Sequence, residues 1–266
     1  WPFPLSVSMA ILLSAITGVI VGLPALRVKG IYLAIATLAL GVIVEEVLTR
    51  WESVTGGNSG LPVKAVQLFG IKIASLQGFY YLSLVFVVVS TWVVLNLLRS
   101  PTGRAFVAIR DSEVSAQSMG IHLAKYKTIS FALSAGLTGL AGALYAHKIR
   151  FLSPEQFTVL QSIELLMMIF IGGIGSIHGV FFGAFFLIVL PQAISVAKDF
   201  LPAAIGGAAG LQATIFGLII IGFVMFEPLG IYGRWVKIRT YLQMFPFYRK
   251  GAFKRQKTFQ KSERNR

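Results

Sequence analysis

Cysteine is absent from this chain of 266 residues, so neither a disulfide framework nor a thiolate metal site is open to it. Histidine is nearly absent: His122, His147 and His178 are scattered without ligand spacing, which argues against a metal centre built on imidazoles. Charge is scarce at 13% of residues, and acid is scarcest, with 10 Asp and Glu against 24 Lys and Arg. No GxxxxGK[ST] phosphate loop occurs. The run GGIGSIHG at 172–179 has glycines but no lysine, and reads instead as a helix break or a close-packing site. Nor does an ionisable residue fall in the middle of any long apolar stretch. Glu45 and Glu46 close one, Glu164 opens another and Glu227 closes the last. All four sit near headgroup depth, which counts against an internal proton or sodium relay. A path through such a chain would draw its energy from another protein.

What the chain has in quantity is apolar sequence. It is 56% hydrophobic with a mean hydropathy of +0.77, which places it among polytopic membrane proteins of the all-α class. Hydrophobic helices are expected at about 5–26, 31–48, 79–98, 128–147, 162–175, 177–197 and 213–230. Most are near the twenty residues that a helix needs to cross a bilayer. Residues 162–197 are different. As one helix they would measure roughly 54 Å, too long for one crossing and slightly short for two. The glycines at 172–179 split them, and the first part is too short to span alone. Pro191 is a candidate kink in the second. The chain opens at Trp1 without a methionine, so processing or truncation is expected. Residues 5–26 lack the basic leader of a signal peptide and read as a span.

The net charge of +14 suggests nucleic acid, but its placement does not. Residues 234–266 hold eleven basic residues against Glu263 alone, and a basic tail after the last hydrophobic span reads as a cytoplasmic segment facing phospholipid. With the tail inside, 27–30, 99–127 and 172–179 are inside too, giving eighteen Lys and Arg on that side against six outside. Without the tail the count is seven against six, so the orientation rests on the tail. Residues 5–48 and 162–197 share a layout of helix, Gly-containing break and returning helix, as paired segments around a transport path do.

Between two uncharged spans lies RSPTGRAFVAIRDSEVSAQSMGI at 99–121. Read as one helix, it carries Ala105, Ile109, Ser112, Ala116 and Met119 on a small-residue face and Arg110, Glu113 and Gln117 on another. An Arg110–Glu113 pair there is worth a few tenths of a kcal/mol at most. The stretch reads either as an ordinary solvated loop or as a docking surface for a soluble partner.

The run from Gly103 to Tyr145, GRAFVAIRDSEVSAQSMGI followed by FALSAGLTGLAGALY, resembles the permease family of branched-chain amino-acid ABC importers, the LivM type. LRVKGIYLAIATLALG at 26–41, TGGNSGLP at 55–62 and SP with GGIGSIHGVFFGA between 153 and 184 agree in the same order. The likeness covers roughly residues 20–232. It implies a permease subunit in a bacterial or archaeal cytoplasmic (inner) membrane, with no cofactor and no covalent chemistry of its own. Its implied partners are a second permease subunit, two cytoplasmic ABC ATPases and a periplasmic or extracellular solute-binding protein. The polar stretch at 99–127 then becomes the ATPase-coupling loop, matched at Gly103, Arg104, Arg110, Asp111, Glu113, Ala116 and Gly120. The long basic tail and the late start depart from the family pattern, and related permeases that carry urea or other small amides leave the solute open.

For the translocation path or helix break, the candidates are Tyr32, Thr37, Gly56, Gly57, Gly60, Gly172, Gly173 and Gly175. Each has a plainer reading. A threonine in a membrane helix commonly satisfies its own backbone, TGGNSGLP serves equally as an outer loop, and the small residues of GLTGLAGALYA suit helix packing. The expected protein is a transmembrane permease domain over 1–233 with a basic cytoplasmic tail over 234–266, forming part of the path of an ATP-driven importer. An ion-coupled secondary carrier acting without an ATPase, and an accessory membrane subunit with no path, are the alternatives.

Overall fold

The computed structural model describes residues 2–25, 31–68, 71–73, 75–199, 211–226 and 230–244. The expected turn at 27–30, the loop before the last span and the tail beyond Met244 lie outside these residues. The helices are α1 (Phe3–Ala25), α2 (Ile31–Arg50), α3 (Glu52–Thr55), α4 (Leu76–Arg99), α5 (Pro101–Asp111), α6 (Glu113–Ser118), α7 (Leu123–Ile149), α8 (Val159–Gly172), α9 (Ile177–Asp199), α10 (Leu211–Phe226) and α11 (Gly230–Met244). Among the described residues four short strands accompany them: β1 (Leu61–Pro62), β2 (Val66–Leu68), β3 (Ile71–Ile73) and β4 (Phe151–Leu152). The protein is a polytopic helical membrane protein. Among the described residues, five helical stretches are long and apolar enough to cross a bilayer: Phe3–Leu23, Leu76–Arg99, Leu123–Ile149, Pro154–Gly172 and Ile177–Ala197.

Serine sets several helix starts. Ser75, Ser100 and Ser112 each accept a hydrogen bond on the side-chain oxygen from the amide three residues on, at 3.1, 3.3 and 3.2 Å. Pro101 stands at the first position of α5, where its missing N–H costs nothing. Ser176 does the same for α9, accepting from Gly179 at 3.0 Å.

The chain divides into two compact units, Trp1–Ser162 and Ile163–Arg266. The backbone of the first is an antiparallel seam between α1 and α7. Apolar burial does not drive helix association in lipid, where the tails are as apolar as leucine, so close packing must. Ala10, Ser14, Gly18 and Gly22 recur every fourth residue along α1 and meet Thr128, Phe131, Ala132, Ala135 and Gly139 of α7. A Cβ on Gly18 would stand 2.6 Å from the Ala135 Cβ and 2.7 Å from the Phe131 carbonyl oxygen, so the backbones touch. At the far end of the seam, Ser6 Oγ lies 3.1 Å from His147 Nε2. Phe3 and Val7 form a cluster there with Val66 of the β2–β3 hairpin. Helix α4 has no buried residue, as suits a span whose surface lies in lipid.

In the second unit α8 and α9 meet at glycines. Gly172, Gly179 and Gly183 face one another so closely that a Cβ on Gly172 would run into the Gly179 carbonyl, and one on Gly183 into the Met168 carbonyl. Ile171, Leu187 and Ile220 form the buried centre, drawing on α8, α9 and α10. Helix α10 (Leu211–Phe226) covers most of the expected span at 213–230, residues 227–229 lie outside the described residues, and Gly230 at the head of α11 lies in the left-handed region (φ 69°). Helix α11 includes the expected border between 233 and 234.

Candidate functional site

The stretch between α4 and α7 is a folded hairpin of two helices. A single helical face over 105–119 does not form, because Ser112 is extended (φ −160°, ψ 113°) and caps α6 after closing α5. The helical phase resets there, so Ala105 and Ile109 are not continued by Ser112, Ala116 and Met119. The expected Arg110–Glu113 pair is also replaced. Arg110 reaches Asp111 at 3.0 Å, and Glu113 receives Lys127 Nζ from the second turn of α7 at 2.7 Å.

The seven matched residues therefore do different jobs. Gly103 is buried where α5 turns back on α4, and a Cβ there would strike the Leu97 and Leu98 backbone. Ala116 is 1% exposed. Gly120 has φ 82° with open space about it, and Ile121 N–H bonds the Ala116 carbonyl at 3.0 Å, the helix-ending motif that needs a left-handed residue at this place. Glu113 braces α6 to α7. Arg104, with Nη1 3.1 Å from the Arg99 carbonyl, and the Arg110–Asp111 pair are exposed. Val114 and Met119, 77% and 75% exposed, are the prominent apolar side chains of α6 and its end, and only Met119 was singled out in the sequence.

At the opposite end of α4 and α7, the segments 51–63 and 150–158 fold together. β1 pairs antiparallel with β4, matching Leu61 to Leu152 and Pro62 to Phe151. Val63 N–H donates to the Arg150 carbonyl at 2.9 Å. Gly56, Gly57 and Gly60 all have positive φ, at 70, 53 and 65°, so TGGNSGLP is a specified turn. Thr55 Oγ1 fastens it to the end of α2 by donating to the Leu48 carbonyl at 2.6 Å. A Cβ on Gly60 would lie 2.5 Å from the Leu152 carbonyl oxygen.

Beside this cap runs a cleft of about 280 Å³. One wall is the stripe of α2 carrying Leu40, Val44 and Leu48, with Thr37, Gly41 and Glu45 at four-residue spacing; the other is Pro154 and Phe157. Tyr145 packs edge-on against Phe157, centroids 6.2 Å apart. Of the path candidates, Thr37 lines the cleft and the glycine turn lies next to it. Tyr32 is 74% exposed and sits five residues earlier, about 140° round the helix from Thr37, so the two do not share a face. Gly172, Gly173 and Gly175 belong to the second unit. There Gly173 and Gly175 form the α8–α9 turn (φ 115 and 83°), and Gly230 rests against the Gly173 backbone. His178 from the start of α9 stacks on Tyr232, 5.6 Å between centroids and 9° between planes.

Sequence reading missed Glu45, Pro154 and Phe157 as one group. The four-residue recurrence of Thr37, Gly41 and Glu45 was available as a signal. The contribution of 154–157, more than a hundred residues away, was not.

Residues 1–226 match the family model described as branched-chain amino acid transport system / permease component. The high-affinity branched-chain amino acid transport system permease protein LivM of Salmonella typhimurium (strain LT2) is 33% identical over 223 residues, which is 75% of this chain and 52% of that protein. LivM of Escherichia coli (strain K12) is 32% identical over 220 residues, again 52% of its length. The autoinducer 2 import system permease protein LsrC of Salmonella paratyphi B is 24% identical over 235 residues, 84% of this chain and 63% of the relative. The chain thus spans about half the length of these two LivM proteins. No solved structure matches it significantly.

Proposed function

We propose a transport function from one premise: the chain belongs to the branched-chain amino acid transport system permease family. In this reading it is a subunit of an ATP-binding-cassette importer in a cytoplasmic (inner) membrane, and forms part of the inward path for a branched-chain amino acid or a similar small polar solute. A second permease subunit completes the path, two cytoplasmic ATPases drive it, and a periplasmic or extracellular solute-binding protein delivers to it. The tail and the 99–127 segment lie on the cytoplasmic side, and the glycine cap with the cleft beside it on the outer side.

The observation that carries this reading is the α5–α6 hairpin. It projects from the ends of two spans, is braced internally at Gly103, Ala116 and Glu113, and presents Val114 and Met119 outward. Exposed apolar residues on a short, rigid, charged hairpin suit insertion into a partner's groove, where a few side chains dominate affinity. A push on α6 would reach α7 through Glu113–Lys127, and one on α5 would reach α4 through the Gly103 corner. Even a methyl group added to Gly103 has no room at that corner. The test is to purify the chain with its neighbouring transport subunits, reconstitute them in liposomes and follow leucine uptake. Uptake should require ATP, and Val114→Glu with Met119→Glu should abolish both ATPase co-purification and uptake while leaving membrane insertion intact. ATP-independent uptake by this chain alone would establish the secondary carrier instead.

A further inference from the structure

We propose that Glu45 is the acceptor for the ammonium group of the solute, and that the cleft beside it takes a primary amine bearing a short branched aliphatic tail. This deepens the transport reading and rests on it. Two adjacent carboxylates close α2, and the helix turns them about 100° apart. Glu46 faces away from the cleft, is exposed, and is matched by Arg50 at 2.5 Å, one helical turn on. Glu45 faces the cleft, is half-buried, and has no ion-pair partner among the described residues. A carboxylate set among apolar side chains and left without an ion-pair partner is a ready acceptor for a cationic group.

The walls define the rest of the ligand. Leu40, Val44 and Leu48 on one side and Phe157 on the other offer methyl groups and a ring face, with no second charge. The Phe157 face can also receive an ammonium, and its contact with Tyr145 holds the ring in place. A volume of about 280 Å³ is room for roughly nine water-sized groups, the scale of a six-carbon amino acid. The cleft runs about 12 Å from Thr37 to Glu45, with the carboxylate at the end nearer the glycine cap. An entering solute would therefore meet its charge partner first and slide its tail inward.

The absence of native cysteine makes the test direct. Leu48→Cys, at the cleft wall, is labelled with a maleimide in the full chain held in nanodiscs, alone and with leucine, isoamylamine, 3-methylbutanol or 4-methylpentanoate. Leucine and isoamylamine should slow labelling at least threefold, while the alcohol and the deaminated acid should not. Glu45→Gln should raise the half-protecting concentration of both amines tenfold or more. Glu45→Asp, which keeps the charge, should fall between, and Glu46→Gln should match the parent. Protection by the alcohol equal to that by the amine, protection unchanged in Glu45→Gln, or no protection by either amine would overturn the assignment. ATP-driven leucine uptake by the assembled transporter is measured in parallel. Uptake without amine protection removes Glu45 from the path and leaves the importer standing; amine protection without ATP-driven uptake does the reverse.

Discussion

Gly18→Ala adds one methyl to the tightest part of the α1–α7 seam, and the structure sets its cost. The new Cβ would lie 2.6 Å from the Ala135 Cβ and 2.7 Å from the Phe131 carbonyl oxygen, against 3.4 Å for ordinary contact. A shortfall of about 0.7–0.8 Å against a backbone oxygen and a Cβ cannot be absorbed by a rotamer, so the helices must part and lose contacts along the seam, a penalty of about 1–3 kcal/mol for overpacking. Gly139→Ala meets the Ala10 carbonyl oxygen at 2.7 Å and the Ser14 side chain, and should cost as much. Because part of that clash is with Ser14, Ser14→Gly should recover some of the loss. Gly22→Ala, whose nearest neighbour is the Phe131 Cβ at 3.1 Å, should cost less. Gly142→Ala meets nothing within 4 Å, and gains about 0.5–1 kcal/mol of helix preference. Thermal unfolding in detergent, read by the surviving monodisperse peak, resolves these differences at about 2–4 °C per kcal/mol. The expected order of stability is Gly142→Ala, then Gly22→Ala, then Gly18→Ala and Gly139→Ala together. Equal damage at Gly142 and Gly139, or silence at both Gly18 and Gly139, would show that backbone contact does not hold α1 to α7.

Three further outcomes follow from the same geometry. With an impermeant thiol reagent on intact cells, Asn58→Cys should label and Ser115→Cys should not, since the two segments lie at opposite ends of α4; external labelling at Ser115 would reverse the proposed orientation. Gly183→Ala should abolish leucine uptake by forcing α8 from α9 at the Met168 carbonyl, whereas Gly222→Ala, with open space around it, should be neutral in the same assay. Glu113→Lys should weaken ATPase co-purification by loosening α6 from α7, and adding Lys127→Glu should restore it; the pair is worth at most about 1 kcal/mol, so thermal stability should barely move, and a double variant no better than the single would remove the brace from coupling.

Hydropathy made the helical class and the approximate spans legible, because bilayer thickness sets a length that a run such as 79–98 either meets or does not. The break at 172–179 was legible for a related reason: four glycines close together cannot be an ordinary helix interior. Residue choice within the hairpin was less transparent. Ser112 looks like one more small residue on a helical face, yet its hydroxyl competes for the backbone of the next turn and caps α6 instead. Glu113 looks like the partner of Arg110 at helical spacing until that break moves it, and its actual partner, Lys127, is fourteen residues away. The seam glycines were visible on α7 but not paired with α1, since a four-residue recurrence of Ala10, Ser14, Gly18 and Gly22 acquires meaning only against a second helix.

Glycine in this chain consequently answers to two demands that one sequence symbol conceals. At Gly120, Gly173 and Gly175 the demand is conformational: φ is positive, and Gly120 has no neighbour that a methyl would touch. At Gly18, Gly139, Gly172 and Gly183 the backbone is ordinary helix and the demand is space. The distinction has a mechanical consequence. A positive-φ glycine fixes where the chain turns, so the α8–α9 break and the end of α6 are set locally. A space-demanding glycine fixes how near two helices come, and any motion that separates them must first give up backbone contact along the whole interface. Helices α1 and α7 are therefore suited to move as one body, and in the proposed transport reading the short braced hairpin that precedes α7 is where a partner would move them.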